Sequence, residues 1–290
     1  MASFTTRLAD GWEKAGWMTT LALVPAVVTV TSLQNIVNTL SASRTGGGVA
    51  FLIPTGIVNL WSFVSVPSPQ QGEMTLDIGG IPVGSFEAAA TALGLVFVTT
   101  VVRATLAAGY FGSIREGFTS EKYDFQRNVR RYAVRMLGYE LLPLVALLPA
   151  ILFALEGGAV GFALFVPVFL SSLVAGYLLA ATPYLVVLRD LSLVEALVES
   201  VRVTTTVGFF RFVLALFVAA LPLSFALSTV VRQLGVVGIL CGALMLAPVG
   251  LACNAATMRL VADVDPQSPS LGTWDDAPRQ GEGSGPAPMQ

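Results

Sequence analysis

Two ionisable residues and one amide fall inside long apolar runs: Arg103, Glu140 and Asn254. A charge in hydrocarbon is costly, so such a residue marks a substrate or ion path, an internal pair, or a side chain reaching back to the headgroups. Arg103 and Glu140 have opposite charge, and a pair between them needs close geometry to offset desolvation. Arg103 has Thr99, Thr100 and Thr105 beside it and stands about five residues, a rise of about 7.5 Å, from an expected membrane boundary near 108. A long arginine side chain can cover that depth, so Arg103 is expected to be structural or interfacial. Arg127, Arg130, Arg131 and Arg135 lie outside the apolar runs and suit contact with lipid headgroups.

The residue types needed for catalysis are missing. There is no histidine, hence no imidazole base or metal ligand. No Walker A, HExxH or GxSxG pattern occurs, and no serine or acid is arranged as a nucleophile with its base. Cys241 and Cys253 share one predicted helix, about 18 Å apart along its axis, and cannot bond to each other there. The chain is expected not to be an enzyme and to hold no metal or cofactor. No nucleic-acid partner is expected either.

What must position these residues is a membrane bundle. The chain is 54% hydrophobic and 12% charged, about half the charge of a soluble domain. Its mean hydropathy is +0.76. Apolar runs at 18–40, 85–108, 138–155, 159–187, 210–231 and 236–258 are each about long enough to cross the hydrocarbon core. The start MASFTTRLADGWEKAGW lacks the short apolar core and cleavage site of a signal peptide, so the first run reads as a retained span.

The six spans fall into three repeated hairpins. Pro25, Pro149 and Pro222 stand in comparable places, and Ala107-Ala108, Ala180-Ala181 and Ala255-Ala256 close the returning helices. The second and third copies are about 74 residues apart, so the first holds an insert of roughly 50 residues. Six spans put both termini on one side. That side carries 13 basic residues against Arg44 and Arg232 opposite, with Arg103 inside a span. The positive-inside rule makes it cytoplasmic.

Residues 41–84 then form an exterior insert. Its stretch 49–66, VAFLIPTGIVNLWSFVSV, is interrupted by Pro54, Gly56 and Asn59 and favours a β-like or interfacial segment. TLDIGGIPVG at 75–84 could supply a partner strand. On the cytoplasmic side three amphipathic helices are expected at the membrane surface. One covers 121–137, with Phe125, Val129, Tyr132, Ala133 and Met136 on one face and the arginines elsewhere. Another covers 192–206, opened by a Ser192–Glu195 capping box and striped by Val194, Leu197, Val198 and Val201. The third lies at the N-terminus, with Phe4, Leu8, Gly11 and Ala15 in its stripe and Trp12 and Trp17 at headgroup level. Gly238 and Gly242, and Ser172, Gly176 and Ala180, permit close helix packing. Residues 1–263 make the transmembrane domain, and the Pro, Gly and Ser-rich stretch 264–290 reads as a disordered cytoplasmic tail.

Residues 184–212 carry a helix end, an acidic-basic pair, then Leu191-Ser192, Ala196-Leu197 and Ser200 before the next span. This pattern resembles six-helix prokaryotic membrane proteins similar to the membrane domain associated with glycerophosphoryl diester phosphodiesterases. The likeness runs from about 85 to 263 and leaves the insert out. It implies an all-α bundle and carries over no catalytic residue, because no phosphodiesterase domain is recognisable here. The expected protein is a non-enzymatic, multi-pass cell-membrane protein that scaffolds or assists a membrane process, in contact with lipid and with a membrane or cytoplasmic protein partner. The alternative is a transport protein, such as a permease subunit coupled to a cytoplasmic ATPase.

Overall fold

A computed structural model describes residues 3–41, 48–50, 52–67, 77–78, 81–82, 86–120, 122–156 and 159–271. The described chain is helical apart from loops and one small ladder. The helices are α1 (Phe4–Trp17), α2 (Leu23–Thr31), α3 (Leu33–Ser41), α4 (Leu60–Phe63), α5 (Phe86–Thr119), α6 (Phe125–Glu156), α7 (Ala159–Leu178), α8 (Thr182–Leu188), α9 (Leu193–Thr204), α10 (Val207–Leu234) and α11 (Val236–Val264). Strands β1 (Asp77–Ile78) and β2 (Ile81–Pro82) pair antiparallel with each other over two residues each.

Four helices are long and apolar enough to cross a membrane: Gly94–Thr119, Leu170–Leu188, Val207–Leu234 and Val236–Val264. A fifth span is reached if α1 and residues 19–31, bent by 102° at Met18, count as one. By this measure the described residues hold four or five spans rather than the expected six. Their outward faces are apolar, as on α10 where Val207, Phe210, Leu214, Val218 and Phe225 are exposed. The protein is therefore a multi-pass membrane protein.

Local chemistry sets the breaks. A single residue, Gly235, joins α10 to α11, and its φ of +57° is a backbone conformation that glycine adopts without strain. The next turn keeps the two helices close: a Cβ on Gly238 would stand 2.9 Å from the Cα of Val231, and one on Gly242 2.9 Å from Leu60. That packing was legible as GxxxG. The Ser172, Gly176 and Ala180 spacing is different, because a Cβ on Gly176 would meet nothing within 4 Å.

The expected fourth span is broken at Leu179–Ala181, and the helix α9 repairs the break. Ser200 donates to the carbonyl of Leu178 at 2.8 Å and accepts from the amide of Ala181 at 3.2 Å. Thr204 adds a bond to the same carbonyl at 3.1 Å, and Pro183 at the start of α8 needs no partner for an amide.

Three expected surface features take another form. The segment 121–137 is no separate helix: from Phe125 it belongs to α6, a continuous rod of 32 residues. Its stripe buries Tyr132 and Met136 in the core shared with α5. The N-terminal stripe likewise packs on protein, with a Cβ on Gly11 only 2.5 Å from the carbonyl oxygen of Ala252, while Trp12 and Trp17 stay exposed. The third expectation holds in geometry: α9 buries Ala196, Ser200, Val203 and Thr204 and turns Val194, at 70% exposure, and Val198 outward. Residues 264–271, assigned to the tail by composition, pack on the bundle through buried Asp265 and Leu271. The remainder of the expected tail, 272–290, lies outside the described residues.

Candidate functional site

The largest departure from the sequence reading is at 48–67. These residues do not form an extended exterior strand. They run into the bundle, burying Leu52, Val58, Leu60, Phe63 and Val64 among α2, α10 and α11. Irregular backbone at membrane depth is tolerated only where protein satisfies its polar groups. Side chains of the surrounding helices do so here. On α10, the buried Ser224 accepts from the amide of Ala50 at 2.7 Å and Ser228 from that of Ser65 at 2.9 Å. Arg232 donates to the carbonyl of Ser65 at 3.2 Å. On α2, Thr29 accepts from the amide of Leu60 through its hydroxyl and from the indole of Trp61 through its carbonyl.

The tip of this strap meets Asn254, 18 residues into α11 or about 27 Å along it. Asn254 accepts from the amide of Val58 at 2.9 Å and donates to the carbonyl of Gly56 and the hydroxyl of Tyr184, each at 2.8 Å. Tyr139 donates to the carbonyl of Thr55 at 2.7 Å and Tyr184 to that of Pro54 at 3.4 Å. Tyr110 reaches the Asn254 carbonyl oxygen at 3.4 Å. A Cβ on Gly250 would lie 2.1 Å from the carbonyl oxygen of Val58, so only glycine lets the strap come this close. The candidate Asn254 is thus a clamp whose polar atoms are all engaged by protein.

Charged residues gather at one end of the bundle. Arg259, with 2% of its side chain exposed, is paired with Asp10, and Arg7 stands 4.0 Å from Asp263. Arg189 bonds Asp265 at 3.4 Å and also binds Gln267. Arg127 meets Glu116 at 2.6 Å, and Asp190 takes Arg131 at 2.7 Å and Arg135 at 2.5 Å. Of the four arginines assigned to headgroups, three therefore have acidic partners in the protein, and Arg130 is the one exposed without an ion pair among the described residues. The hydrogen bond from Arg131 holds the Asp190 carboxyl below its ordinary range, burial opposes it, and the bond from Arg135 adds to it.

The pair Arg103–Glu140 is formed, with Nε 3.6 Å from Oε2. It is looser than the pairs above, and half of the Arg103 side chain is exposed. The helix α5 continues to Thr119, so Arg103 lies 13 residues, about 20 Å, from the ion-paired Glu116 rather than near a boundary at 108.

No protein family, characterised protein or solved structure matches this chain. The site must be judged on its geometry. The residues quoted for the family resemblance have structural work: Ser192 and Glu195 form the expected capping box, Ala196 is buried, and Ser200 bridges the α7–α8 break. Sequence reasoning missed the three tyrosines of the clamp and the strap they hold. One signal was present, since a tyrosine hydroxyl deep in an apolar run requires a partner.

Proposed function

We propose that this is a non-enzymatic, six-span protein of the cell membrane, with both termini cytoplasmic, that scaffolds or assists a membrane process. The observation that carries the reading is the filled interior. The strap occupies the bundle centre and its carbonyls meet Asn254, Tyr139 and Tyr184, so the polar groups there bind the protein to itself. A transport path needs polar groups left to a solute. Six spans are supported by the ion pairs, which join the start of α1 and the ends of α5, α8 and α11. Ends that touch lie on one side of the membrane, and that side is the arginine-rich one. The likeness to phosphodiesterase-associated membrane domains agrees with such a bundle.

The permease reading draws on α9, a short helix between two spans that exposes Val194 and Val198. Affinity purification from native membranes separates the two. The scaffold reading expects a stoichiometric membrane or cytoplasmic partner with no ATPase. A co-purifying ATPase that supports ATP-driven flux after reconstitution would decide for the permease.

A further inference from the structure

We propose that the groove beside Arg103 binds an anionic phospholipid, with the lipid phosphate on the guanidinium. The groove, of about 430 Å³, runs between the α2–α3 junction and α5. Its α5 wall is Leu95, Val98, Thr99, Val102 and Arg103, which fall at i, i+3, i+4, i+7 and i+8 on one helical face. Across it stand Val30 and the amides Gln34 and Asn35.

The unused donors argue for an anion. Arg103 faces Glu140 through Nε alone, at 3.6 Å, beyond hydrogen-bond length. Among the described residues no hydrogen bond engages its two terminal nitrogens. A guanidinium in an apolar groove with its fork open matches a phosphodiester, which can accept two parallel bonds. The fork also distinguishes Arg103 from Arg127, Arg131 and Arg135, whose terminal nitrogens end on carboxylates.

Access and shape argue for a lipid rather than a dissolved ion. The groove is flanked by exposed Leu33 and Phe97 on the apolar sides of their helices, so a ligand enters through hydrocarbon. Arg103 stands at the end of the wall nearer the ion-paired layer. From there the wall continues for eight residues to Leu95, a rise of about 12 Å, close to one leaflet's share of a core about 30 Å thick. Head at the arginine and tail along the valines is the order of a lipid in the leaflet on the ion-paired side.

The test uses the full chain in phosphatidylcholine nanodiscs carrying a trace of phosphatidylglycerol with a diazirine in its acyl chain. After photolysis, adducts are mapped by peptide mass spectrometry, with the lipid-facing residues of α10 as internal reference. Adducts on 95–102 should exceed those from a diazirine phosphatidylcholine. They should fall at least about tenfold in Arg103→Gln/Glu140→Gln, since hydrogen bonds to charged groups carry most of the recognition. The double change avoids leaving Glu140 buried without its partner. If that variant does not fold, Arg103→Lys decides, because it keeps the charge and loses the fork, and adducts should drop about threefold. Unchanged groove adducts in the folded double variant, or in Arg103→Lys where that one decides, would overturn the site. Protection of the groove by millimolar inorganic phosphate would place a soluble anion there and overturn the lipid assignment.

Discussion

Asp10 and Arg259 are separated by 249 positions in sequence and joined in a pair that water barely reaches. Breaking such a pair from one side leaves a buried charge, whereas replacing both partners by apolar groups removes the desolvation cost together with the attraction. Asp10→Ala should therefore destabilise the protein by about 3–5 kcal/mol, and Asp10→Leu/Arg259→Leu should recover most of that loss. Thermal unfolding in detergent checks both, and equal damage in single and double variants would contradict the argument. Asn254 makes a related case without charge. Asn254→Ala deprives the amide of Val58 and the carbonyl of Gly56 of their partners, each costing about 1–3 kcal/mol when left buried. Asn254→Asp keeps the acceptor for Val58 and turns the former donor to Gly56 into a repelling oxygen, so it should be no better than alanine.

At the level of elements, α9 holds its neighbours through small polar residues. Ser200→Ala removes the bridge across the α7–α8 break, and the carbonyl of Leu178 retains only Thr204. The expected cost is about 1–2 kcal/mol in Ser200→Ala and clearly more when Thr204→Val is added. The turn before α9 gives a pH signature. Asp190 ties to α6 through Arg131 and Arg135, and its carboxyl is held below the ordinary aspartate value. A depressed carboxylate stabilises the fold above its unfolded value, about 3.9, and that contribution is lost as pH falls through the lower folded value. The stability gap between the protein and Asp190→Asn should be flat above about pH 5 and close progressively below about pH 4. A gap that persists at pH 2 would show that the carboxylate charge is not what is lost. The α9 cap was legible because Ser192 and Glu195 act within one turn. The partners of Arg127, Arg131 and Arg135 were not, because Glu116 and Asp190 come from other elements and an exposed arginine face looks the same whether it meets lipid or carboxylate.

Across the whole molecule, hydropathy located the spans because bilayer thickness sets their length, but it assigned 49–66 to the exterior. That stretch is too broken by Pro54, Gly56 and Asn59 to read as a helix, and its backbone is satisfied by serines, tyrosines and an asparagine far away in sequence. No periodicity records such partners. Side-specific labelling tests the resulting architecture in a background where Cys241 and Cys253 are replaced by alanine. Gln70→Cys should react with a membrane-impermeant maleimide from outside, and Ser284→Cys only after the membrane is opened. Reaction of both from one side would overturn the six-span reading. Val58→Cys separates strap from insert: its side chain is buried against α11, where Asn254 takes the amide of the same residue. It should resist the reagent from either side and become reactive only on unfolding. Labelling of Val58→Cys from outside at the rate of Gln70→Cys would mean that the strap leaves the bundle in the membrane, and the filled interior that argues against a transport path would be lost with it.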